Sequence, residues 1–170
     1  MDVILDCNIW VEAVAVNSRI PKSTAQFTNT ALGKILNSAL RGRKVNGEKL
    51  TIVVSRHILL TSDHVCAQRG WSEPGEVAKW MSAIITRLRD LQGVDAVVLD
   101  GTKEDYPALA ARAGKLDGAE DAEDEAVLRA AIHTNATLVT DDRDLAYSAG
   151  RRGVKVHGPA ALIEMIGGLR

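Results

Sequence analysis

Two short aliphatic runs end in carboxylates: Val3-Ile4-Leu5 is closed by Asp6-Cys7-Asn8, and Leu138-Val139 by Thr140-Asp141-Asp142-Arg143-Asp144. If both runs are parallel strands, their ends meet at one edge of a sheet, and acids far apart in sequence share a crevice there. Like charges gathered in one place raise each other's pKa and oppose folding unless something neutralises them. A hard divalent cation bound by oxygen ligands is the simplest neutraliser. A third acid comes from a helical pattern in which Val127, Leu128 and Ala131 mark the inward face. Asp124 precedes them by three, four and seven residues, so it lies on that inward side, one turn nearer the helix start. Glu125 stands four residues before Arg129, the orientation that suits a surface ion pair, and is expected in solvent. Asp6, Asp124 and Asp142 are thus the expected metal-ligating trio. Asp144 would support them through water, and Asn8 and Thr140 would hold the carboxylates in place. Each acid also has a plain structural role open to it. Asp142 can cap a helix from Arg143 to Gly150, Asp6 can cap the helix carrying Trp10 and Val11, and Asn8 can be a turn residue.

The elements that must position these residues are read from alternating aliphatic and amphipathic stretches. Residues 2–6, 51–54, 96–99, 137–140 and 154–156 read as strands with little polar alternation, as expected when both faces are covered. Helical patterns fall at 9–16, 25–41, 56–69, 75–91, 105–114, 120–134, 143–150 and 159–167. This alternation predicts an α/β fold with a central parallel sheet of about five strands and right-handed crossovers. The segment Gly42 to Gly47 is polar, basic and too short to link domains, so residues 1–170 read as a single domain.

Composition narrows the class. Hydrophobic residues make up 46% and charged residues 25%, which excludes disordered and fibrous chains, and the 4% aromatic content predicts a mostly aliphatic core. No apolar stretch is long enough to span a bilayer, and Asp2 replaces the basic start of a signal peptide, so a cytoplasmic protein without a membrane partner is expected. Cys7 and Cys66 lack zinc spacing and read as free thiols. The net charge of −1 neither requires nor forbids a polyanionic partner. Basic residues cluster at Arg41, Arg43, Lys44 and Lys49, and again at Arg151, Arg152, Lys155 and His157. Each cluster reads as a solvated loop or as a grip on a phosphate backbone. The acidic run from Asp117 to Glu125 fits a helix N-terminus.

Three segments carry a family resemblance: Val3-Ile4-Leu5-Asp6-Cys7-Asn8-Ile9-Trp10, then Glu123-Asp124-Glu125-Ala126-Val127-Leu128-Arg129-Ala130-Ala131, then Leu138-Val139-Thr140-Asp141-Asp142-Arg143-Asp144-Leu145. In order and spacing they resemble the acidic motifs of PIN-domain nucleases. The branch they look most like is the VapC-type toxin component of bacterial toxin-antitoxin pairs. The resemblance implies a three-layer α/β/α sandwich, a Mg²⁺- or Mn²⁺-dependent phosphodiesterase site built on Asp6, Asp124 and Asp142, and RNA as substrate. It also implies a cognate antitoxin protein and a homodimer. Two positions depart from the family pattern. Such proteins carry a glutamate in a motif like Ser-x-x-Ile-Leu-x-Glu, whereas this chain reads Ser55-Arg56-His57-Ile58-Leu59-Leu60-Thr61. The Thr61 hydroxyl can hold a metal-bound water but supplies no charge, and Asp63 is turned about 200° round the helix from it. His64 reads as a surface residue. Asp141 stands where the family commonly has glycine.

The mechanism these residues predict is hydrolysis by a metal-activated water, with Arg41, Arg43 and Lys44, or Arg151, Arg152 and Lys155, gripping RNA. The rival from another class is a catalytically silent PIN-like domain that binds RNA or protein, for which the absent glutamate speaks. Phosphoryl transfer of the haloacid-dehalogenase kind fits less well, because Asn8 stands where its second aspartate belongs. A receiver domain maps onto Asp100, Thr140 and Lys155, but it lacks its acid pair after the first strand.

Overall fold

The computed structural model describes residues 1–92, 98–99 and 122–167. Among the described residues seven strands form: β1 (Asp2–Leu5), β2 (Lys44–Val45), β3 (Glu48–Lys49), β4 (Thr51–Ser55), β5 (Val98–Leu99), β6 (Thr137–Val139) and β7 (Val156–His157). Five of them make one sheet in the order β5-β4-β1-β6-β7, and every pairing in it is parallel. Successive strand residues point to opposite faces, yet Val3, Ile4 and Leu5 are all fully buried, as are Ile52 and Val54 with Val53 between them nearly so. Both faces of the sheet are therefore covered, which explains why these runs are aliphatic throughout.

The covering helices are α1 (Cys7–Ala15), α2 (Ala31–Leu40), α3 (Arg56–Gln68), α4 (Glu76–Gln92), α5 (Ala122–Thr134), α6 (Arg143–Arg151) and α7 (Pro159–Gly167). With right-handed crossovers, α1 to α4 lie on one face and α5 and α6 on the other, giving a three-layer α/β/α sandwich. Helix α1 packs on α2 and α3, α3 also meets α4 and α5, and α7 returns to α2. The chain moves outward from β1 through β4 to β5, then crosses back to build β6 and β7 on the other side of β1. That reversal leaves a crevice between the carboxyl ends of β1 and β6, the place where open α/β sheets bind ligands. No helix among the described residues is long and apolar enough to cross a membrane.

Local chemistry accounts for three departures from expectation. The helix expected over 25–41 is broken into a short 3₁₀ turn, Thr24–Gln26, and α2. Thr30 divides them: its hydroxyl donates to the Phe27 carbonyl at 2.6 Å and accepts from Gly33 N–H at 3.1 Å, which caps α2. The stretch read as a polar connection is a hairpin, β2 to β3, turned by Asn46 (φ +51°) and Gly47 (φ +84°). Both φ values are positive, as a two-residue type I′ turn requires, and Asn-Gly is the pair that supplies them at least cost. Glu125, expected in solvent, is completely buried. Helix α5 also touches α3, and its buried residues Ala126, Val127, Leu128, Ala130 and Ala131 run round most of the helix, so Glu125 falls inside this widened stripe. The expected ion pair does form there, with Arg129 Nη2 3.2 Å from Glu125 Oε1. The helix expected over 105–114 lies outside the described residues.

Candidate active site at the carboxyl edge of the sheet

Strand β1 ends at Leu5, and Asp6 becomes the N-cap of α1: its Oδ1 accepts from Cys7 N–H at 2.7 Å. Its backbone N–H donates to Val139 O at 3.0 Å, which ties it to the end of β6. Asp142 is likewise the N-cap of α6, its Oδ1 accepting from the N–H groups of Asp144 at 2.9 Å and Leu145 at 3.1 Å. The structural roles set out above are therefore both filled. What joins the two acids is Thr140. Its hydroxyl donates to Asp6 Oδ2 at 2.9 Å and accepts from Asp142 N–H at 3.0 Å, so one buried side chain fixes both strand ends.

The electrostatics of this pair are unfavourable. Burial pushes the Asp6 carboxyl above the usual carboxylate range. The Thr140 and Cys7 hydrogen bonds pull it down, and the negative charge of Asp142 pushes it up again. Among the described residues neither Asp6 nor Asp142 has a cationic side chain as partner, and Asp142 Oδ2 accepts no hydrogen bond. Two acids with spare oxygen lone pairs and no counter-charge fit a hard cation as two of its ligands. No group of three His, Cys, Asp or Glu side chains able to hold a metal ion occurs among the described residues, so the pair is not joined by a third ligand there. Asp124 is half-buried in the first turns of α5. It stands ten residues before Thr134, about 15 Å along the helix axis, while β6 starts near the helix end and spans only about 10 Å. Asp124 is thus at the carboxyl-edge level of the sheet, as the sequence suggested, without forming a three-carboxylate cluster.

The other expected residues are distributed more widely. Asp144 and Asn8 are exposed on the rim, and Asn8 makes no hydrogen bond to Asp6, whose bonds go to Thr140 and Cys7 instead. Asp141 is exposed, with Oδ1 beside the end of β7 at Gly158. Ser55 is fully buried and caps α3 by accepting from Ile58 N–H at 3.2 Å, so its role is structural. Thr61 Oγ1 lies 3.3 Å from Nε2 of buried His57, directed along α3. Asp63 accepts from Gly75 N–H at 2.8 Å and Ala78 N–H at 3.0 Å, which fixes the start of α4 and gives it no part in the crevice. His64 is exposed, as expected.

Neither basic cluster is brought to the acids. Lys44 and Lys49 sit on the hairpin that enters β4 at its amino end, where Thr51 N–H donates to Met1 O. Helix α6 starts at the acid edge and carries Arg151 about 13 Å away. Arg152 and Lys155 line a cavity of about 370 Å³ with Met1, Asp2 and Glu48, at the amino ends of the strands. Arg41, Arg43, Lys44, Arg151 and Arg152 therefore belong to the opposite edge. Two cations that stand at the carboxyl edge are Arg56 and Arg143, both exposed, each following a helix cap by one residue. Attention to charge runs misses such isolated residues; their position directly after Ser55 and Asp142 was the available signal. Neither a protein-family model nor a curated protein matches this chain.

Proposed function

We propose that this chain is a divalent-cation-dependent endoribonuclease that hydrolyses RNA phosphodiester bonds in the crevice between β1 and β6. The observation that carries this is a pair of carboxylates, one buried and neither offset by a cation, bridged by one threonine hydroxyl at the sheet's switch point. Helix capping alone gives no reason for acids there. Serine caps as well as aspartate, and Ser55 does so at the end of β4 without charge. Asp6 and Asp142 would hold the cation, with Asp124 the further ligand that α5 offers at the same edge. When bound, such a cation supplies Lewis acidity toward a phosphate oxygen and a more acidic water. Thr140 keeps Asp6 oriented, Asp144 and Asn8 face water and substrate from the rim, and Arg56 and Arg143 meet the phosphate backbone. RNA as substrate, and a toxin role opposed by an antitoxin, rest on the resemblance to PIN-domain nucleases.

The test is Asp142→Asn assayed on structured RNA with Mn²⁺. Cleavage falls about 100-fold or more, while asparagine preserves the α6 cap and the thermal midpoint. Metal-dependent cleavage that survives the substitution rejects the role of Asp142. A second reading, a silent PIN-like domain that binds RNA or protein, is favoured by one observation: Thr61, in the place of an acid, turns its hydroxyl to His57. It predicts a gel shift of RNA by the wild-type protein with no cleavage in Mn²⁺.

A further inference from the structure

Helix α6 leaves the acid crevice at its cap Asp142 and turns Arg143, Tyr147, Gly150 and Arg151 to solvent, while Leu145, Ser148 and Ala149 are buried. Residues four apart stand on one helix face, so Arg143, Tyr147 and Arg151 form a row about 12 Å long that starts at the crevice. The acid of this helix, Asp144, lies in its first turn at the same end. Among the described residues Tyr147 is the only exposed aromatic side chain: Trp10 and Phe27 are buried, and Trp71 and Trp80 are half-buried. Its ring is 66% exposed although the Arg151 guanidinium lies over it, 5.9 Å from the centroid. A surface cation–π pair by itself does no more than support a helix. Gly150, three residues beyond Tyr147, is a second observation. Its φ is not positive, and a Cβ built there meets nothing within 4 Å, so neither conformation nor packing calls for glycine where alanine would strengthen the helix. What glycine does at that position is leave the helix surface beside the ring bare.

We propose that this face of α6 is a stacking platform for single-stranded RNA leaving the β1–β6 crevice, with a base on Tyr147 and neighbouring phosphates on Arg143 and Arg151. Resting on RNA as the substrate proposed above, the platform adds the path of the strand and a demand that it be unpaired. A base inside a duplex is stacked on both faces and has none to offer the ring, whereas a splayed base does. A protein partner suits the face less well. Its apolar area is a single ring on a narrow row, too little for the contiguous apolar core that a protein interface buries.

The test is fluorescence anisotropy on the full chain in EDTA, with a labelled short oligoadenylate as the single strand and the same strand paired to its complement as the duplex. Tyr147→Ala should weaken single-strand binding about 10-fold or more and leave the duplex unchanged. Tyr147→Trp should retain single-strand binding and Tyr147→Leu should not, which separates stacking from apolar area. Arg151→Gln should lessen the dependence of log affinity on log salt by about 0.7, a slope that Tyr147→Ala leaves alone. Gly150→Gln, which sets a long neutral side chain beside the ring, should weaken the single strand and spare the duplex. Thermal melts check that each variant folds. No binding of the single strand by the wild type, equal loss of both probes in Tyr147→Ala, leucine serving as well as tryptophan, an unchanged salt slope in Arg151→Gln, or insensitivity to Gly150→Gln would each overturn the proposal. Its failure is distinguishable from that of the nuclease reading. A wild type that holds the single strand through Tyr147 but leaves it intact in Mn²⁺ keeps the platform and rejects the nuclease. Cleavage lost in Asp142→Asn, with Tyr147→Ala still binding like the wild type, does the reverse.

Discussion

Three neighbouring strands, β4, β1 and β6, end at the same edge of the sheet, and each leads within three residues into the cap of a helix, but they do it differently. At the end of β4 the cap is Ser55, neutral and fully buried, holding one amide of α3. Beyond the ends of β1 and β6 the caps are Asp6 and Asp142; burial above all, and the charge of Asp142 to a smaller extent, leave Asp6 with a raised pKa. Capping strength does not distinguish the residue types, since serine, asparagine and aspartate rank together at this position. The difference must therefore be sought in what charge does there. Two acids in a crevice are a cost in the isolated protein and a gain once a cation is present.

The substitution with the largest expected effect attacks this contrast directly. Asp6→Asn should reduce Mn²⁺-dependent cleavage about 100-fold or more and yet stabilise the metal-free protein at neutral pH by about 1 kcal/mol. The sign follows from proton linkage. Because burial raises the folded pKa above the unfolded one, the folded state holds more protons in the window between them, so wild-type stability falls as pH rises through it. The asparagine variant lacks this loss, and its advantage should open across that window and stay constant above it. Thermal melts from pH 4 to 8 in EDTA measure the difference, and added Mn²⁺ should close it by stabilising only the wild type. If Asp6→Asn is less stable than wild type at neutral pH, Asp6 is a cap of the Ser55 kind and the contrast is lost.

Thr140 sharpens the comparison because it belongs to the charged pair without being charged. Thr140→Val leaves a buried Asp6 oxygen and the Asp142 N–H without their partner, which should lower stability by about 2 kcal/mol and cleavage by about 10- to 100-fold. Thr140→Ser keeps the hydroxyl and should restore most of both. Equal behaviour of valine and serine in melts and cleavage assays would show that the hydroxyl does not organise the crevice.

How much of this was legible in the chain depends on whether the signal was local. Val3-Ile4-Leu5-Asp6 and Leu138 to Asp142 could be read as strand ends carrying acids, because a both-faces-buried strand has to be a continuous aliphatic run. Thr140 could be singled out as a carboxylate holder by its place beside Asp142, and it is one. Asn8 could not be excluded, since only the start of α1 turns it outward. Glu125 was misplaced because its i, i+4 arginine is a surface signal, whereas its burial depends on how widely α5 is covered by elements far along the chain. The basic clusters misled for the same reason. Nothing within either cluster says which edge of the sheet it occupies; that follows from strand direction and helix length together.

Ser55→Ala tests the neutral side of the contrast with a smaller effect. Removing the α3 cap should cost about 1 kcal/mol and leave cleavage unchanged, because Ser55 touches neither acid. A drop in cleavage larger than the drop in stability explains would draw Ser55 into the site.

The smallest effect concerns the interior of α3, behind that neutral cap. Cys66 is completely buried, and burial, with some help from the nearby Asp63 charge, pushes its thiol up to about 11, against the weaker pull of Arg69. At pH 8 only about one molecule in a thousand then carries the thiolate, against about a quarter for a free cysteine. Iodoacetamide should therefore label Cys66 about 100-fold more slowly than a free thiol, as read by peptide mass mapping of the native protein, and at the ordinary rate after denaturation. Fast labelling of the native protein would mean that α3 opens locally. In that case the neutral cap does not anchor a rigid wall, and the contrast between the corners of this edge would be one of order as well as of charge.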